Sequence, residues 1–236
     1  MKIYAMVPTY NEKGNIDKLI TQLLKIPNLH PLIVDDNSPD GTAEAVRKWM
    51  KKNKRVELLL RTKNKGRGSA GIDGFKQCLK KNADYIIEMD ADLSHDPKYI
   101  PAILEGLKRC DVILGSRYAQ GGSQKGRPIR RQILTFFANL YIRIILGVKV
   151  SDCNSGYRGF TRLAIQKIRD KPLKAKGPDI VQEVLYRAHL KKLRICEIAI
   201  TFNEREEGTS KLGLNHLYKG YIAVLRLKFD HLIGRI

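Results

Sequence analysis

Short apolar runs recur through the first half of the chain, and between them the apolar positions shift to a spacing of three and four residues. The runs at 3–7, 31–34, 56–60, 85–89 and 112–115 predict strands, and the segments 16–24, 42–52 and 69–79 predict amphipathic helices. Strands alternating with helices imply parallel strands joined by crossovers, the α/β class. Residues 119–131 turn to Gly, Ser, Gln, Lys and Arg and predict a mobile loop before a helix at 133–146. That helix and the mixed apolar and charged stretch 218–236 read as amphipathic. Core-facing packing is the favoured reading for both, and a place in a membrane interface is the other. No run approaches the roughly 20 apolar residues of a spanning helix.

In an open α/β sheet, ligands gather outside the carboxyl ends of the strands. Here those positions hold residues 8–12, 35–40, 65–69 and 90–94, then Ser116 and Arg117, a set rich in carboxylates and glycines. Such convergence points to a ligand site rather than to packing. The net charge of +20 favours an anionic partner: a phosphorylated ligand, an acidic membrane or nucleic acid. A basic nucleic-acid-binding protein is thus the alternative from another class. Carboxylates along the rim would repel a phosphate backbone, so nucleic acid is not an expected partner. Cys78, Cys110, Cys153 and Cys196 lie far apart without paired spacing and are expected to be reduced and mostly buried. The N-terminus lacks the pattern of a signal peptide, and a cytoplasmic location is expected.

Asp90 and Asp92 follow the apolar run 85–89, a position from which carboxylate oxygens can hold Mg²⁺ or Mn²⁺ bridging phosphates. Asp35 and Asp36 form a second acidic strand end, suited to ribose hydroxyls or a base edge, whereas Asp40 reads as a helix cap. Gly66, Gly68 and Gly71 open a helix and either receive a nucleotide or make a tight turn. Their spacing matches a dinucleotide fingerprint but follows the third strand rather than the first, and no P-loop pattern occurs.

Six segments in order carry a resemblance: VPTYNE at 7–12, VDDNSPDGT at 34–42, MDADLSH at 89–95, GSRY at 115–118, DCNSGYRGF at 152–160 and FNEREEGTSKL at 202–212. Together they resemble the motif set of dolichol-phosphate mannosyltransferases, inverting members of glycosyltransferase family 2 with a GT-A fold. The resemblance implies a single GT-A domain over 1–236, a Rossmann-like mostly parallel sheet flanked by helices. Its nucleotide-binding half would be 1–118, and its acceptor half 119–236 would end in an amphipathic helix. The implied donor is GDP-mannose and the acceptor a polyprenyl phosphate such as dolichyl phosphate.

By the same resemblance, Pro8, Tyr10, Glu12, Val34 and Asp36 contact the guanosine. Asp90, Ala91 and Asp92 hold metal and diphosphate, with Arg117, Arg205 and Lys211 as further donor contacts. Asp92 and Arg117 would carry catalysis. Ser94 joins the implied metal ligands, although some relatives have glutamine there. Arg131 and Thr135 would meet the acceptor phosphate, relatives often having serine at the second position. A polyprenyl-phosphate glucosyltransferase using UDP-glucose would share this machinery and is the nearest rival. Lys125, Arg127, Arg130 and Arg131 precede the apolar helix and suit an anionic lipid surface. The implied setting is peripheral, on the cytoplasmic face of a membrane, alone or with a membrane-embedded partner subunit.

Overall fold

The computed structural model describes residues 1–203 and 214–236, with side chains in the last helix described from Gly220 onward. The first half runs β1 (Ile3–Thr9), α1 (Lys13–Leu24), β2 (Leu29–Asp35), α2 (Thr42–Lys52), β3 (Glu57–Leu60), α3 (Arg67–Lys80) and β4 (Tyr85–Glu88). A 3₁₀ turn at Pro97–Tyr99 leads into α4 (Ile100–Gly106), β5 (Val112–Ser116), β6 (Ser123–Lys125) and α5 (Ile129–Leu146). The chain continues through β7 (Arg158–Thr161), α6 (Arg162–Ile168), α7 (Ile180–Leu190), β8 (Ile195–Ala199), β9 (Thr201–Asn203) and α8 (Leu214–Leu232).

α1 buries Ile16, Leu19, Ile20 and Leu23, the one-face spacing its sequence carries. At the start of α2, Asp40 accepts from the Thr42 amide at 2.9 Å and also from the Lys13 amide at 2.9 Å. One carboxylate therefore secures the first turns of two helices, in keeping with its expected capping role.

Seven strands form one sheet in the order β3-β2-β1-β4-β7-β5-β8. The pairs β1–β2, β1–β4, β2–β3 and β5–β8 are parallel, and β7 lies antiparallel between β4 and β5. One face is covered mainly by α3, α6 and α7, the other by α1, α2 and α4. Each fully buried Ile or Leu in these layers contributes roughly 1.5–3 kcal/mol. β7 needs Gly159: a Cβ there would lie 2.2 Å from Ile103 Cγ2, so the bare backbone admits α4.

Three expectations change. The stretch 119–131 is not a free loop, because β6 pairs with β9 from Ser123↔Thr201 to Lys125↔Asn203 and α5 already begins at Ile129. A three-residue polar strand offers no alternation by which to find it. α5 is not a core-facing helix along its length, since it buries Asn139, Ile142 and Leu146 but leaves Ile133, Phe136 and Phe137 exposed. Finally, Cys110 and Cys196 are joined in a disulfide, so the expectation of reduced cysteines holds for buried Cys78 and Cys153 but fails for this pair. The parallel β5–β8 ladder brings them together across 86 residues, a distance at which spacing carries no signal. Among the described residues no helix is long and apolar enough to cross a membrane.

Candidate active site

β1, β2 and β4 are neighbours whose carboxyl ends open on the same edge of the sheet, with Thr9 opposite Asp35 and Met6 opposite Glu88. Asp35 is fully buried and saturated: it accepts from Thr9 Oγ1 at 2.8 Å, from the Ser38 amide at 2.9 Å and from Ser38 Oγ at 2.6 Å. It builds the turn. Asp36, the next residue, pairs with Arg61 and accepts from the Gly66 amide at 2.7 Å, which ties the β2 end to the glycine-bearing segment.

Arg67 then joins the β2 side to β4. Its guanidinium donates to Glu88 at 3.0 Å and to Asp90 at 3.4 Å, while Arg158 grips Glu88 from the other side at 2.5 Å. Burial disfavours the charge on Arg67, yet Glu88 and Asp90 outweigh it and hold its pKa above the ordinary arginine value. The N-terminal amides of α3 are not open to a nucleotide. The Lys176 carbonyl accepts from Gly68 at 3.0 Å and from Ser69 at 3.4 Å, so of the two readings of these glycines the tight packing turn is the correct one. A Cβ on Gly68 would lie 2.4 Å from the Ala175 carbonyl oxygen.

Within the MDADLSH segment, Leu93 has φ 61°, a left-handed conformation rare for a bulky residue. That turn lets Ser94 donate to Asp92 Oδ1 through its amide at 3.1 Å and its hydroxyl at 2.5 Å. Ser94 therefore orients Asp92, its hydroxyl already committed as a donor. His95 Nδ1 accepts from the Asp90 amide at 3.0 Å, which leaves the imidazole proton on Nε2. The ring stacks on Tyr157 at 5.0 Å and meets the edge of Phe202 at 6.0 Å. Burial pushes the His95 pKa down.

Arg117 also lies against Phe202, its guanidinium 5.5 Å from that ring. Asp152 holds it with two parallel bonds, Nε to Oδ2 and Nη2 to Oδ1, both at 2.7 Å. Burial opposes the charge, but Asp152 raises the Arg117 pKa above its usual value. Arg131 and Thr135 lie one turn apart on α5, with the Thr135 hydroxyl donating to the Arg131 carbonyl at 2.8 Å. A chain of amides links this helix to the DCNSGYRGF segment: Gln182 donates to Asn154 at 2.7 Å and Asn154 to Asn139 at 2.8 Å.

Two carboxylates, Asp90 and Asp92, are the hard oxygen donors that Mg²⁺ or Mn²⁺ prefers. Gly156 leaves room beside them, since a Cβ there would approach Asp90 Oδ2 to 3.6 Å. Among the described residues no group of three or more His, Cys, Asp or Glu could hold a metal ion.

The sequence model of glycosyl transferase family 2 matches residues 4–169, which include both acidic strand ends and the Arg117–Asp152 clamp. The chain belongs to glycosyl transferase family 2. Among curated proteins it is similar to undecaprenyl-phosphate mannosyltransferase of Micrococcus luteus, 35% identical over 90% of this chain and 88% of that protein. It is also similar to polyprenol monophosphomannose synthase of Mycolicibacterium smegmatis, 35% identical over 93% of this chain and 84% of that protein. With dolichol-phosphate mannosyltransferase of Pyrococcus furiosus it shares 34% identity over 100% of this chain and 66% of that protein. A solved glucosyl-3-phosphoglycerate synthase from Mycobacterium tuberculosis, in complex with Mn²⁺, UDP and phosphoglyceric acid, superposes with TM-score 0.69 at 16% identity, covering 99% of this chain and 78% of that one. That likeness shows the fold, which is GT-A, and the family makes the protein a glycosyltransferase.

Besides Arg117, Arg131 and Thr135, the expected residues of this family member fall into three groups. Asp36, Asp90, Ala91, Asp92 and Ser94 come together at the strand ends, with Pro8 buried within β1 and Glu12 and exposed Tyr10 following it. Val34 is fully buried in the core, so a ligand could meet it only through its backbone. Arg205 and Lys211 lie outside the described residues. Sequence reasoning missed Arg67, Glu88, His95, Asp152 and Arg158 as working parts of the site. Apart from Arg67, each sits inside or beside a quoted motif, and their pairing is long-range, which no local spacing reveals.

Proposed function

We propose that this glycosyltransferase moves mannose from GDP-mannose to a polyprenyl phosphate, with inversion at the sugar carbon. The observation that carries the reading is the meeting of Asp36 and Asp90 at one sheet edge, linked through Gly66 and Arg67, with Asp92 held by Ser94 two residues further on. Identity of 34–35% to relatives named as mannosyltransferases of lipid phosphates supports the substrate class. Asp36, with Pro8, Tyr10, Glu12 and the Val34 backbone, would receive the guanosine, and Arg205 and Lys211 would be further donor contacts.

Asp90 and Asp92 would hold Mg²⁺ or Mn²⁺. Bound there, the cation supplies positive charge that stabilises the diphosphate as it departs. Arg117, fixed by Asp152, adds a preorganised cation for the same charge. The acceptor phosphate has a second pKa of about 6 and is largely a dianion near neutrality, so no residue is required to take its proton. Arg131 and Thr135 would orient it.

Exposed Phe136 and Phe137 on α5 and Leu225, Phe229 and Leu232 on α8 support a peripheral place on a membrane, with Arg130, Arg131 and Arg226 set among them for anionic lipid. The test is a panel of radiolabelled GDP- and UDP-sugars offered with dolichyl phosphate and Mg²⁺ or Mn²⁺, scoring lipid-extractable label. Label from GDP-mannose is expected. Label from UDP-glucose instead would move the reading to a glucosyltransferase, and no lipid label from any donor would overturn it.

A further inference from the structure

The clamp that fixes Arg117 does not end at Asp152. Residues 147–157, between α5 and β7, form neither helix nor strand, so no ladder holds the backbone from which Asp152 reaches Arg117. Two consecutive amides of that segment donate instead to one carboxylate: Ser151 to Glu197 Oε2 at 2.7 Å and Asp152 to Glu197 Oε1 at 3.0 Å. Glu197 belongs to β8, where it stands opposite Leu114 in the parallel ladder with β5, three residues before Arg117. It is the charged member of an otherwise apolar strand, ICEIA, and a partly buried carboxylate there costs free energy unless donors meet it. Both of its oxygens are met, by bonds of the charge-assisted kind. Ile195, on the same face of β8, packs against the apolar core, so the carboxylate at 197 answers to the two amides rather than to strand packing.

We infer that Glu197 is a positioning residue for the transfer reaction: it sets the backbone at 151–152 so that Asp152 presents the Arg117 guanidinium to the departing diphosphate. The inference rests on the leaving-group role given to Arg117 and names the group that keeps that cation in place. Asp152 is almost fully buried and spends both oxygens on Arg117. Its Oδ2 accepts from the Arg117 amide at 3.1 Å and from Nε, and its Oδ1 accepts from Nη2. The direction of the guanidinium is therefore set by where the Asp152 backbone stands, and that backbone is held by Glu197. A displacement of about 1 Å in a group that stabilises the transition state can cost on the order of 100-fold in rate, so a contact two links away from the substrate acts on turnover.

Steady-state transfer from GDP-mannose to dolichyl phosphate with Mn²⁺, measured for single and double variants, tests this. Glu197→Gln keeps the shape of the side chain but sets an NH2 group against one of the two amides. It should lower kcat by about 10-fold and leave the KM for GDP-mannose within about 2-fold of the wild type. In an Arg117→Lys background the same change should cost no more than about 2-fold, because the fit that Glu197 maintains is already lost. Ile198→Val, on the other face of β8 and packed against the second core layer, should lower the melting temperature and leave kcat as it was. Should Glu197→Gln fail to fold, Glu197→Asp, which keeps the charge one methylene back, carries the same comparison. An unchanged kcat would overturn the inference, as would a loss as large in the Arg117→Lys background as in the wild type, or an equal loss from Ile198→Val. If Arg117→Lys itself leaves kcat unaltered, or the wild type transfers no mannose to lipid, the reading beneath the inference fails rather than the link through Glu197.

Discussion

Leu93 adopts a strained left-handed turn that brings Asp92 back onto Ser94, and the two hydrogen bonds from Ser94 fix the carboxylate proposed to hold the cation. Asp92→Ala should lower transfer by at least about 100-fold, while circular dichroism and the melting temperature stay near those of the wild type. Turnover near normal in a folded variant would contradict the role. Arg117 depends on the planar two-pronged fit to Asp152, which lysine cannot reproduce. Arg117→Lys should therefore lower kcat with little change in the KM for GDP-mannose, and an unaltered kcat would remove Arg117 from the leaving-group cluster. Arg131→Ala should weaken acceptor use more than GDP binding. Calorimetric GDP affinity that falls in step with acceptor use would contradict that split.

At the scale of elements, α3 is held by a carbonyl where a phosphate was one of two expectations, and its glycines are there for contact with residues 175–177. Gly68→Ala should destabilise the fold by about 2 kcal/mol or more, read as a lower melting temperature. The Cys110–Cys196 link between the start of β5 and β8 makes a second element-scale prediction. Thiol titration of the denatured, unreduced protein should find the two thiols of Cys78 and Cys153 and no more. Four reactive thiols would refute the pairing.

The legible elements were those with a period. β1, β2 and β4 announced themselves as apolar runs because both faces of a parallel strand are covered, and α1 and α2 by their stripes. β7 did not, since its Arg158 and Gly159 look like a loop until Glu88 and Ile103 are placed against them. The carboxylates of the site were legible from their position after strands. Their partners were not, because Arg67–Glu88 and Arg117–Asp152 are contacts between distant segments.

For the whole molecule, a net charge of +20 and the apolar side chains on α5 and α8 act together. Anionic lipid should attract the protein at low salt, with apolar insertion retaining it. Flotation with anionic liposomes should carry the protein upward and neutral liposomes should carry less; no association with either would defeat the peripheral reading. At the rim, strand-end carboxylates are proposed to gather a cation and a sugar diphosphate into one cleft. Electron paramagnetic resonance of Mn²⁺ titrated with GDP tests it most directly. The wild type should immobilise Mn²⁺ far more strongly with GDP than without, and Asp92→Ala should lose the GDP-dependent signal while remaining folded. Equal Mn²⁺ binding by wild type and Asp92→Ala, indifferent to GDP, would contradict the account.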